Sequence, residues 1–167
     1  MSQELTGTIR ALLDEYKKAV NELIAVIKPL SSNEILIIRD DKTTNENCRS
    51  IQTILTHVVY AGYGYTNFIE VHFGNKKERR GKQLFVNAHE YVEDLNGMLE
   101  YCRNFFAENP GIELEEYDPS KKILTHWGQV YDPDQLMEHA IVHVLKHRRQ
   151  IQRFLSSQAG PITTVLQ

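Results

Sequence analysis

Four stretches of this chain repeat their apolar residues at helical spacing, and helix-breaking residues follow each of them. A chain that writes this pattern four times can bury the stripes only by packing helix on helix, so the expected fold is all-α, a four-helix bundle in one domain over residues 1–167. The first stretch runs from about Ser2 to Lys28, with Leu5, Ile9, Leu12, Tyr16, Val20, Leu23 and Ile27 on one stripe, and Pro29 closes it. The second runs from about Asn47 to Phe73 through Ile51, Ile54, Leu55, Val58, Gly62, Tyr65 and Ile69. The third begins at Asn87, with Glu90 three positions on as in a capping box, and ends at Asn109-Pro110-Gly111. The fourth is the best marked. Asp132 can cap it, Pro133 suits the first helical position, Asp134 complements the positive end of the dipole, and Gly160-Pro161 closes it.

Two connections lack this period. Residues 34–46 contain Ile35-Leu36-Ile37-Ile38, readable as a short strand or a buried turn. Residues 110–131 form a long, irregular link with His126-Trp127-Gly128 and Tyr131; such links serve as lids or binding loops, or Trp127 simply plugs one end of the core.

Composition narrows the classes. A net charge of −3 gives no bulk attraction to nucleic acid, and the basic run from Asn75 to Lys82 reads as a partner-binding patch or, as such runs more often are, a solvated loop. No apolar run approaches the ~18 residues that span a bilayer. The N-terminus lacks the parts of a secretory signal, and Cys48 and Cys102 form no C-x-x-C pair. A cytoplasmic protein with free thiols, without nucleic-acid or membrane partners, is expected.

The chemistry lies in the histidines. His139, His143 and His147 recur every four residues on the last helix, so adjacent imidazoles in the series can reach one ion. By helical-wheel arithmetic His147 lies roughly 60° from the centre of the apolar stripe, His143 roughly 100° and His139 roughly 140°. His143 and His147 thus flank the core, and His139 is expected to point to a neighbouring helix or solvent. Divalent metals usually want a third protein ligand, and His57, at the edge of the second helix's stripe, is the natural candidate. Three imidazoles suit zinc, nickel, iron or copper alike. His72 and His89 read as surface or space-filling residues, and His126 is ambiguous.

The stretch Glu138-His139-Ala140-Ile141-Val142-His143-Val144-Leu145-Lys146-His147-Arg148-Arg149-Gln150-Ile151 resembles the last-helix signature of the DinB/YfiT-like superfamily, H-x-x-x-H-R-G-Q-I. Ile54-Leu55-Thr56-His57-Val58-Val59-Tyr60-Ala61 is similar to that family's second-helix motif, and the order of helices matches over nearly the whole chain. Arg149 departs from the pattern, standing where the signature has glycine. The resemblance implies a four-helix bundle holding a divalent metal, often nickel or zinc, on His57, His143 and His147. It also implies, for some members, S-transfer or isomerisation with a low-molecular-weight thiol.

Two functions compete on these grounds. The first is a metal-dependent enzyme of thiol-transferase or hydrolase type, with an open coordination position facing the 110–131 link and a small-molecule substrate. Tyr117, Trp127 or Tyr131 would wall its pocket, and Arg148 would pair with a carboxylate of the substrate or of the bundle itself. The second is a non-catalytic, metal-stabilised bundle that acts in stress adaptation by dimerising or binding a partner. A homodimer is expected under either.

Overall fold

The computed structural model describes residues 5, 7–75 and 78–157. The chain is mostly helical. Four long helices, α1 (Gly7–Ile27), α3 (Ile51–His72), α4 (Ala88–Glu108) and α5 (Pro133–Ser156), are joined by one short helix, α2 (Ser32–Leu36), two 3₁₀ turns and a two-stranded hairpin. Helix α1 packs on α4 and α5, and α3 packs on the same two from the other side. The start of the first stretch, Lys76 and Lys77 of the basic run, and Gly160-Pro161 lie outside the described residues.

Each helix buries the stripe its sequence writes. On α1, Tyr16, Ala19, Val20, Leu23 and Ile27 are buried, and on α5 the buried series is Pro133, Leu136, Met137, Ala140, Val144, His147 and Ile151. Helix α3 is buried on most of its circumference because α4, α5, α2 and the segments flanking it cover it together. Gly62 permits the closest of these approaches: a Cβ there would collide with Met98 Sδ of α4 and crowd the Tyr16 hydroxyl of α1. Tyr16 in turn donates to Met98 Sδ at 3.6 Å.

The caps account for the starts. Asp132 accepts from Gln135 N at 2.8 Å, with Pro133 behind it, as the sequence indicates. Asn87 accepts from Glu90 N at 3.0 Å, but the Glu90 carboxylate returns to the Asn87 side-chain amide rather than to its backbone.

Three connections differ from expectation. Ile35-Leu36-Ile37-Ile38 is neither a strand nor a buried turn: Ser31 and Glu34 form a capping box that starts α2, and of the four only Ile35 is buried. Ile38 makes a single bridge to Ser50, which brings the 39–49 loop alongside the start of α3. The 110–131 link is less irregular than its sequence reads. Strands β1 (Ile123–Leu124) and β2 (Val130–Tyr131) pair antiparallel, Ile123 with Tyr131 and Leu124 with Val130. Gly128, at φ +86°, lets the connecting loop close, and Thr125 N and Oγ1 both donate to Gln129 O. Ile123, 4% exposed, seats this hairpin against α3, and β2 leads directly into the Asp132 cap. Finally, the described part of the basic run is a solvated loop only in part: Asn75, Glu78, Gly81 and Lys82 are exposed, whereas Arg80 is paired with Asp94 and Arg79 lies over the Tyr60 ring of α3.

Candidate functional site

Helices α3 and α5 bring His57, His143 and His147 together. One nitrogen from each ring lies within 4.8 Å of the other two. The Nε2 atoms of His57 and His143 face each other at 3.0 Å, and the ring centroids of the three pairs are 4.8, 5.1 and 4.5 Å apart. His147 is 4% exposed, a member of the α5 buried stripe, and its Nδ1 meets Gln150 Oε1 at 3.0 Å. An amide oxygen only accepts, so Nδ1 carries the proton and the Nε2 lone pair is left for another partner. The same Gln150 oxygen receives the Cys48 thiol at 3.8 Å.

The surroundings keep these rings neutral. Burial pushes the His57 pKa down to about 4, with the positive fields of Lys82, Lys146 and Arg79 adding to the effect of His147. Burial, then the two neighbouring imidazoles, takes His143 to about 2, and burial lowers His147 as well. Neutral imidazoles with converging nitrogens are the donor set that a divalent transition metal takes; tetrahedral zinc at ~2.0–2.1 Å from each nitrogen sets them roughly 3.4 Å apart. The spacing here, 3.0 Å between the Nε2 atoms of His57 and His143 and up to 4.8 Å overall, brackets that value. The Gln150 contact supplies the outer hydrogen bond that fixes a ligand's tautomer. His143 Nδ1, by contrast, is buried with no hydrogen-bond partner among the described residues.

The three rings form part of the wall of an open cavity of about 710 Å³. Tyr65, 5% exposed, stands edge-on to His143 at 5.7 Å and to His139 at 5.3 Å. Burial raises its phenol pKa, which keeps the hydroxyl protonated. The hairpin supplies the opposite wall: Trp127 stacks on His139 at 5.7 Å and stands edge-on to Phe68, while His126 stacks on Phe68.

His139 therefore does not point away from the site. Its Nδ1 meets the Tyr131 hydroxyl at 3.2 Å, and its ring lies 6.3 Å from that of His143. It stands outside the group of three converging nitrogens but lines the same cavity. The wheel angle was right for a bare helix; the hairpin carrying Trp127 and Tyr131 folds over that face and leaves His139 half-buried. Tyr131 reaches the cavity only through Trp127 and His139, and Tyr117 is 84% exposed and takes no part. Arg148 is turned to α1, where it pairs with Glu22, and does not line the cavity. Arg149 is exposed, so no close packing occurs where the signature has glycine. His72 and His89 are exposed, the latter 3.3 Å from Glu93.

Sequence reasoning missed Cys48, Gln150 and Arg79. Gln150 stood three positions after His147, a spacing that places two side chains on one helix face, and was the readable signal. Cys48 arrives through the 39–49 loop, which no local pattern predicts. Cys102, by contrast, is fully buried beside Met137, and burial raises its thiol to about 12. No family model matches this chain, and no curated protein matches it either. Among the described residues no helix is long and apolar enough to cross a membrane.

Proposed function

We propose that this chain is a divalent-metal-binding protein of the DinB/YfiT-like four-helix-bundle type, and a metal-dependent enzyme acting on a small molecule by S-transfer or hydrolysis. The observation that carries the reading is the convergence of three neutral imidazole nitrogens, His57, His143 and His147, on the wall of an open cavity. Three protein ligands leave a coordination position free, and an ion held there supplies Lewis acidity and stabilises a deprotonated nucleophile. The donor set suits several divalent metals alike, and the family resemblance favours zinc or nickel. A low-molecular-weight thiol is a fitting co-substrate.

The protein's own side chains have assignable tasks. His57, His143 and His147 hold the ion, and Gln150 fixes the tautomer and orientation of His147. Tyr65, kept as a phenol, can donate a hydrogen bond to a ligand in the cavity. Trp127 and His139 form an aromatic wall that limits water on one side. The open cavity favours this reading over a closed, purely structural metal site, where a fourth protein ligand would be expected.

The test is metal content. Untagged protein is expected to carry about one divalent ion per chain, with at least a tenfold weaker hold in His143→Ala and His147→Ala and an unchanged hold in His139→Ala. Equal metal in all three variants contradicts the assignment.

A further inference from the structure

The cavity that contains the three histidines is lined by charged side chains of one sign only. Arg79, Lys82, Lys146 and Arg153 line it, and no carboxylate does. None of the four has an ion-pair partner among the described residues, although Arg80, Lys122 and Arg148 each meet an acidic side chain elsewhere. Among the described residues Lys82 donates to Asn47 Oδ1, at 2.9 Å.

Arg79 is the most firmly built of the four. Its guanidinium lies 3.9 Å from the centre of the Tyr60 ring and rests on the α3 backbone at Gly64, where a Cβ would strike it. Nη2 reaches the Tyr60 carbonyl at 3.5 Å, and Nε is buried with no hydrogen-bond partner among the described residues. Glycine at position 64 and an aromatic ring one turn earlier thus make a seat for this cation in the cavity wall, without a carboxylate to neutralise it. A divalent ion on three neutral imidazoles would add two further positive charges to the same space. Clustered like charges are unfavourable unless an anion answers them.

The geometry points to an anionic small molecule as the natural occupant, its carboxylate or phosphate group held by Arg79 with Lys82, Lys146 and Arg153 while its other end approaches the three-histidine point. Arg79 suits the role because a planar guanidinium with free donors pairs with oxyanions in two parallel hydrogen bonds. The lysines and Arg153, exposed at the rim, would draw the anion in and hold it more loosely. This names the substrate class for the function proposed above, and only the placing of the ligand's other end rests on that reading.

The chain's single tryptophan, Trp127, lies in the cavity wall, so its fluorescence reports on occupancy. The probe is phenyl phosphate, with phenol as its uncharged counterpart, titrated into metal-loaded and metal-free protein. Phenyl phosphate is expected to bind saturably in both forms and more tightly than phenol. Arg79→Gln should weaken it about tenfold and Lys146→Gln roughly threefold, the former being the loss of a charge-assisted hydrogen bond. Metal content should be unchanged in both variants, so a failure of the three-histidine assignment is seen separately. Lys146 is exposed on α5, and its replacement leaves the fold intact even if that of Arg79 does not. Phenyl phosphate binding no tighter than phenol, or equally to wild type and Lys146→Gln, overturns the proposal.

Discussion

The seam between α1, α3 and α4 and the seam between α3 and α5 both bury polar groups, and they treat them in opposite ways. In the first, the Tyr91 hydroxyl shares a 2.7 Å hydrogen bond with Thr56 Oγ1, donates towards Gln52 O at 3.2 Å and receives Phe85 N. In the second, the Nε2 atoms of His57 and His143 have only each other, one ring N–H donating to the other ring at 3.0 Å, and among the described residues His143 Nδ1 has no hydrogen-bond partner and the cations lining the cavity have no counter-ion. Buried polar groups are normally satisfied within the protein. Buried nitrogens without hydrogen-bond partners among the described residues also occur on Arg39, Arg49 and Arg148. What sets the second seam apart is that its orphaned nitrogens, on His143 and Arg79, belong to residues lining an open cavity that a group from outside can enter.

The largest effect that would sharpen this contrast belongs to the apolar seam. Leu95→Ala, at a fully buried position on α4, should cost about 2–5 kcal/mol in urea unfolding. Metal bound per folded chain should stay the same; a loss of metal would mean the two seams are not separable. Next in size is Gln150→Ala, which removes the partner of His147 Nδ1 and should weaken metal binding about 10–100-fold with little change in the stability of metal-free protein. Retained affinity would show that the His147 orientation is fixed by packing alone.

A smaller, gradual effect concerns acid. In metal-free protein the folded-state pKa of His57 is depressed from 6.5 to about 4 and that of His143 to about 2. The unfolded chain takes up protons with the ordinary imidazole value, so below pH 6.5 it binds more protons than the folded chain does. Stability therefore falls as pH drops through 6.5, and the His57 contribution keeps falling until about 4. His57→Ala should flatten the slope between pH 6.5 and 4 in urea titrations of metal-free protein. An unchanged slope would place the acid sensitivity elsewhere.

Much of this was legible in the chain. The stripes of α1, α3, α4 and α5 are local and periodic, and Asp132-Pro133 fixes the start of α5, so His143 and His147 could be placed on its core-facing side from spacing alone. His57 was reachable by position and chosen through resemblance. What failed was tertiary. His139 became half-buried in the cavity wall because a hairpin folded over it, and that hairpin depends on Gly128 and on Ile123 finding α3. Arg79 looked like part of a solvated basic run because its seat, Tyr60 and Gly64, lies on another element. Helix α2 is a different case: Ser31 and Glu34 spelled its capping box, and the apolar run after them drew attention to a strand instead.

The central claim is that three imidazoles converge to hold one ion. Its most direct test is anomalous diffraction from crystals of untagged protein, collected on both sides of the absorption edge of the metal that elemental analysis finds. The account predicts one anomalous peak about 2.0–2.1 Å from a nitrogen of each of His57, His143 and His147, with His139 outside the coordination sphere. A peak elsewhere, or metal-replete protein with no peak between these rings, would contradict it.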